Sequence, residues 1–157
     1  DGNPGNPSRY EGQWFQDRQH GEGTEEWADG VKYKGQYQEG QKHGRGCFWW
    51  TDGSRYEGGT FENDIHGEGE YFWSDGRTFK GTWARNKMHG HGVFTWADGR
   101  SYVGQYVNDL KEGKGVFTWQ DRRKYDGQWL KGKQHGEGIY TPSNGEPRKG
   151  VWQDGKR

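Results

Sequence analysis

One period governs this chain. Stepping 23 residues at a time from Tyr10 reaches Tyr33, Tyr56, Phe79, Tyr102, Tyr125 and finally Arg148. A glycine lies two residues after each, from Gly12 to Gly150. Counting from the tyrosine, positions 12 and 14 are glycine in all six full repeats, from Gly21 and Gly23 to Gly136 and Gly138. No insertion or deletion breaks the register. A period of this length marks an array in which each repeat is one small structural unit stacked on its neighbours. Six repeats fill residues 10–147, and a partial seventh starts at 148. It stops at Arg157, before its glycine pair, as an excerpt of a longer array would. Residues 1–9 read as a turn-rich lead-in, and 10–157 as the array.

Within a repeat, positions 1, 3 and 5 alternate with polar residues, as do 12, 14 and 16, and a period of two means strands. Position 8 is Asp17, Gly40, Asn63, Asn86, Asp109 or Gly132, residues that accept turn geometry. A second turn falls at positions 20–21, which read Asp-Gly at 29–30, 52–53, 75–76 and 98–99. Each repeat is therefore a β-hairpin. A turn near position 8 pairs position 1 with 16, 3 with 14 and 5 with 12. Glycine at this density makes helix untenable, at roughly 1 kcal/mol each.

Only 26% of the residues are apolar and the mean hydropathy is −1.48, which alone would indicate disorder, yet 17% are aromatic. The rings belong to the repeat. Position 5 reads Trp14, Tyr37, Thr60, Trp83, Tyr106, Trp129, Trp152, and positions 16 and 18 are aromatic in most copies. Rings lying beside bare glycine backbone must supply the core. The expected fold is all-β: an elongated, single-layer antiparallel array of β-hairpins with an aromatic-lined groove, about 12–13 strands and roughly 60 Å long.

The pattern Y-x-G-x-W…H-G-x-G-x-x-x-x-x-D-G, seen in YKGQYQEGQKHGRGCFWWTDG from Tyr33 to Gly53, resembles the MORN repeat (membrane occupation and recognition nexus) over residues 10–155. Departures are Thr60 for Trp, Glu112 for His, Arg122 for the turn glycine, Pro142, and Arg148 for the seventh tyrosine. The resemblance implies hairpin arrays with a groove along one side, used as protein-binding scaffolds. Such repeats occur in cortical cytoskeleton proteins, junctophilins and a myosin-tail partner, and fused to plant lipid kinases and a histone methyltransferase.

Catalysis and cofactors find little support. Five histidines share position 11 (His20, His43, His66, His89, His135), and equivalent residues stand about 9.6 Å apart at two strands' spacing, too far to share a metal. Only His89 and His91 are placed for a partial site. There is no G-x-G-x-x-G, and Gly127…Gly132-Lys133-Gln134 lacks the Ser/Thr of a nucleotide loop. The recurring aspartates serve turns, and Cys47 has no positioned base. No enzyme, cofactor or metal is expected. No run approaches the ~20 apolar residues of a membrane helix, no signal-type segment opens the chain, and one cysteine fits a reducing, cytoplasmic setting, at the plasma membrane or cortical cytoskeleton if peripheral.

Lys/Arg and Asp/Glu balance at 23 each, which argues against nucleic acid. The charges are nevertheless sorted. Residues 1–78 hold 8 basic against 15 acidic residues (net −7), and 79–157 hold 15 against 8 (net +7). Four aromatics exceed the repeat's needs: Phe15, Trp49, Phe61 and Phe72, at positions 6 and 17 in the acidic half. They read either as a contact surface or as cover for the back of a thin sheet.

The primary expectation is a scaffold holding a partner amphipathic helix or extended peptide, with apolar anchors plus Lys or Arg facing the acidic half. Its contacts would be Phe15, Trp49, Phe61 and Phe72 with the ladder rings Tyr33, Tyr37, Tyr56, Trp83 and Tyr106. Two alternatives stand beside it. One is acidic-phospholipid binding through Lys111, Lys114, Arg122, Arg123, Lys124, Lys131 and Lys133. The other is homodimerisation through unpaired sheet edges.

Overall fold

A computed structural model describes residues 8–157. It is all-β. Thirteen strands run β1 (Ser8–Phe15), β2 (Arg18–Trp27), β3 (Lys32–Gln38), β4 (Gln41–Trp49), β5 (Arg55–Phe61), β6 (Asp64–Phe72), β7 (Thr78–Ala84), β8 (Lys87–Thr95), β9 (Ser101–Val107), β10 (Leu110–Thr118), β11 (Lys124–Leu130), β12 (Lys133–Thr141) and β13 (Arg148–Trp152). They form one open antiparallel sheet in sequence order. Ser8 and Arg9 of the expected lead-in already pair with Trp27 and Glu26, while residues 1–7 lie outside the described residues. Arg148 opens a regular strand although it replaces the tyrosine.

The hairpin turns occupy positions 7 and 8, both at positive φ: Glu39 and Gly40 at 51° and 82°, Glu62 and Asn63 at 47° and 74°, Asn108 and Asp109 at 48° and 72°. Two successive left-handed residues make the tight turn whose twist matches antiparallel strands. The pairing of position 5 departs from expectation. Tyr33 faces Phe48 and Gly35 faces Gly46, but Tyr37 faces Lys42 at position 10 of its own repeat, and Gly21 at position 12 of the preceding one. The two-residue turn imposes one register and the glycine pair another. A bulge on the second strand absorbs the difference, and Gly44 sits within it at φ 99°.

The two glycines of each pair are required for different reasons. A Cβ on Gly46 would overlap the Tyr33 ring, and one on Gly35 would overlap the backbone of Gly46. The tyrosine thus lies flat on backbone, fully buried, with its hydroxyl donating to the Gln36 carbonyl of the bulge at 3.0 Å. Tyr56, Tyr102 and Tyr125 repeat the arrangement on Gly59, Gln105 and Gln128 at 2.8–3.0 Å.

By their internal contacts the strands fall into two bodies: residues through Ser74 with Trp83–Asn86, and Asp75–Thr82 with Lys87–Arg157. Each has its own ring core. In the first, Tyr37 stands edge-on to Tyr10 (5.1 Å) and Tyr33 (5.4 Å). In the second, Trp129 stands edge-on to Tyr102 (5.4 Å) and Tyr125 (5.3 Å). Position 5 therefore joins the position-1 rings of two consecutive repeats. Each such pair adds about 0.5–1.5 kcal/mol beyond burial.

Candidate functional site: the exposed rings and the lysines beneath them

The ladder rings named as partner contacts are core. Tyr33 and Tyr56 are wholly buried, Tyr37, Trp83 and Tyr106 nearly so. Their surface is consumed by glycine backbone and neighbouring rings, so they cannot contact a partner directly. Alternation alone assigns a side chain to a face and cannot tell its buried centre from its accessible margin.

The accessible rings on that face are those at positions 16 and 18. In the first body Phe48, Trp50, Tyr71 and Trp73 form a continuous half-exposed row, with centroids 5.3, 5.2 and 4.5 Å apart in turn. Phe48 and Trp50 are near-parallel at 11°. The second body repeats it with Phe94, Trp96, Phe117 and Trp119, at 4.4, 5.3 and 4.6 Å. Here the two phenylalanines are buried and the two tryptophans half-exposed. The sequence did carry a signal for position 18. Tryptophan recurs there with no glycine opposite to receive it, just before the second turn.

That turn fixes each position-18 ring. Trp96 N–H donates to Arg100 O at 2.9 Å, Gly99 N–H to Trp96 O at 3.0 Å, and Arg100 N–H to Asp98 Oδ1 at 3.0 Å. The Arg100 guanidinium lies 5.0 Å over Trp96 while its Nε reaches Asp98 Oδ2 at 2.8 Å. Arg123 repeats this with Trp119 (5.2 Å) and Asp121 (2.8 Å).

The four extra rings do lie on the opposite face, but at two separate margins. Phe15 packs on His20 (5.4 Å), and Phe61 lies between His43 (4.9 Å) and His66 (5.6 Å), beside the position 7–8 turns. At the other end, Arg55 pairs with both Trp49 and Phe72 and lies 4.1 Å over the Phe72 ring. Phe61 and Arg55 end the same strand, about 20 Å apart at six residues. The structure does not gather the four into one patch. Phe15 and Trp49 are exposed, whereas Phe61 and Phe72 are half-buried.

The seven basic residues also divide. Lys111 is on the ring face, half-buried beneath rings, and Arg123 is engaged with Asp121. Arg122 occupies the glycine turn position at φ 76°. Lys114, Lys124, Lys131 and Lys133 are exposed, and the strand alternation places Lys114, Lys124 and Lys133 on the back face, opposite Lys111. Two of the position-11 histidines hold turns, while His20 and His135 each bury an Nδ1 without a hydrogen-bond partner among the described residues. His66 Nδ1 accepts the Arg85 N–H (3.2 Å) and His89 Nδ1 that of Asn108 (3.4 Å).

Position 10 was not singled out from sequence, yet it holds the ring face's lysines. Lys42 is buried, its Nζ 4.7 Å from the Trp27 centroid and 5.5 Å from Tyr33. Burial lowers its pKa, and the nearby Glu25 carboxylate opposes that. Glu25 stands at position 16, where other repeats carry a ring. It is buried, accepting from Ser8 Oγ (2.5 Å) and the Tyr37 hydroxyl (2.8 Å). Lys111 sits 5.5–5.8 Å from four rings: Trp96, Tyr102, Phe117 and Trp129. Burial and the neighbouring Arg100 both push its pKa down.

No curated protein matches the sequence significantly. The model of the MORN repeat does, at residues 10–32, 33–55, 59–76, 79–99, 102–122 and 125–146, in the same frame as the six repeats with the third beginning three residues later. With six matched repeats spanning most of its length, and a hairpin folded from each, this chain belongs to the MORN-repeat family.

Proposed function

We propose that this chain is a non-catalytic protein-binding scaffold whose half-exposed ring rows hold an amphipathic helix or extended peptide, in a cortical or cytoskeletal assembly. MORN repeats generally act as binding modules. The observation that carries the reading is the zigzag Phe48–Trp50–Tyr71–Trp73 and its counterpart Phe94–Trp96–Phe117–Trp119. Beyond the buried rings, the second to fifth repeats each present an indole at the margin, just before the second turn. Rigid rings offer contact area at low entropy cost and dominate binding hot spots. The test is affinity capture followed by measurement with the captured partner. Trp50→Ala with Trp73→Ala, or Trp96→Ala with Trp119→Ala, should weaken binding by about 2 kcal/mol or more. Wild-type affinity in both double variants sinks the ring-row reading.

A second reading, acidic-phospholipid binding, is favoured by the back face of the second body. There Lys114, Lys124 and Lys149 stand among the exposed Val103, Ile139 and Val151. Vesicles containing phosphatidylserine should then bind, and Lys114→Glu with Lys124→Glu should release them. Homodimerisation has its own candidate in the edge strands β1 and β13, where Trp14 and Val151 are the most exposed apolar residues (60% and 66%). Sedimentation at two salt concentrations decides it, a monomer at both removing the dimer.

A further inference from the structure

Lys42 and Lys111 occupy the same repeat position in different bodies, and the difference between their surroundings defines a ligand. Both ammonium groups sit among rings on the face that carries the half-exposed tryptophans. Lys42 is fully buried, and the chain buries a carboxylate near it, though beyond ion-pair distance. Glu25, at position 16 of the preceding repeat, displaces the ring usually found there, and its carboxylate acts on Lys42. Position 16 of the repeat preceding Lys111 is Phe94, a buried ring that carries no charge. Among the described residues no carboxylate lies within ion-pair distance of Lys111. Asp98 and Asp121, in the turns that follow Trp96 and Trp119, are committed to Arg100 and Arg123 at 2.8 Å. Lys111 is also half-buried where Lys42 is fully buried.

We propose that Lys111, walled by Trp96, Phe117 and Trp129, is a docking point for an aspartate or glutamate side chain of a partner polypeptide whose adjacent apolar residues cover Trp96 and Trp119. The site rests on the scaffold reading above and specifies the partner's chemistry for the second body. Its warrant is the ring face around Lys42, where the buried Glu25 carboxylate takes a ring's place and accepts from the hydroxyl of Tyr37, the strand partner of Lys42. Arg100 and Arg123, each paired with its turn aspartate, cap the flanking indoles on either side. A cation partly withdrawn from water is poorly hydrated, so an incoming carboxylate gains more there than at a solvated lysine. The second body thus selects an acidic segment with apolar neighbours, opposite in sign to the basic partner expected for the acidic half.

The test uses a displayed random peptide library panned on the whole protein. Enriched peptides should share an Asp or Glu flanked by apolar residues. Replacing that acid with its amide should weaken binding roughly 10- to 100-fold. Lys111→Met is a sound variant, because Met88 and Ile65 hold the same position in other repeats. It should weaken the acidic peptide by a similar factor and leave the amide peptide unchanged, so that the two changes are not additive. Peptides that need Trp96 and Trp119 but neither the acid nor Lys111 would overturn this proposal and leave the scaffold reading standing. Enrichment of no peptide at all would overturn both.

Discussion

Asn63 and Lys42 exchange two hydrogen bonds between consecutive hairpins. The Lys42 N–H donates to Asn63 Oδ1 at 2.9 Å, and the Asn63 N–H donates to the Lys42 carbonyl at 3.0 Å. Asn86 with Ile65, and Asp109 with Met88, repeat the exchange. Position 8 therefore does more than turn the chain: it clamps each hairpin to the one before. Gly40 and Gly132 make the backbone half alone.

That clamp separates two effects at one site. Asn63→Gly keeps the left-handed turn (φ 74°) and loses only the side-chain acceptor, so it should cost about 1 kcal/mol. Asn63→Ala adds the left-handed penalty of about 1–2 kcal/mol. Denaturant midpoints should fall in that order, and a wild-type midpoint for Asn63→Gly would refute the clamp.

Glycines at two different repeat positions should respond differently to alanine. Gly46→Ala drives a methyl into the Tyr33 ring and should cost about 3 kcal/mol or unfold the repeat. Gly67→Ala meets no atom within 4 Å, so only its positive φ (87°) is penalised, at about 1–2 kcal/mol. Thermal unfolding of the two variants checks the order.

Alkali should unfold this protein early. Burial raises the Tyr33 phenol to about 12 and pushes those of Tyr37, Tyr56, Tyr102 and Tyr106 up as well. Below the ordinary phenol range both states are protonated and the contribution is complete. As pH rises past about 10, the unfolded phenols ionise first and stability falls, by about 1.4 kcal/mol per pH unit for each fully protected tyrosine. Denaturant midpoints from pH 8 to 11.5 should decline steeply above pH 10. Tyr33→Phe, a residue the array accepts at Phe79, should flatten the slope.

Arg122 holds φ 76° where four other repeats carry glycine at 93–99°. Among the described residues its side chain makes no hydrogen bond or ion pair to offset the strain. Arg122→Gly should raise stability by about 1 kcal/mol, read as an increase in melting temperature.

The back-face rings offer a contrast to the ring rows. If a partner uses that face of the first body, Trp49→Ala with Phe72→Ala should weaken its binding by about 1–3 kcal/mol with the array still folded. Unchanged affinity in a titration would confine binding to the ring rows.

The sequence by itself determined the repeat, its hairpins, the turn residues and the family, because a spacing of 23 and an alternation of two are properties of the chain read in one dimension. It also assigned rings to one face or the other. Tertiary structure decided what depends on the neighbouring repeat. The register of Tyr37 follows from a tight turn at Glu39–Gly40 competing with the Gly35–Gly46 pair, and the bulge that reconciles them has no signature beyond one more glycine. Burial was likewise invisible: Tyr33 and Trp50 look alike in the pattern, yet one lies on glycine backbone and the other at the margin. Lys42 and Lys111 read as two surface lysines among many. Only the folded sheet tells them apart, burying Lys42 near the Glu25 carboxylate and leaving Lys111 half-buried with the Phe94 ring at the matching position, since the behaviour of a charge depends on what surrounds it.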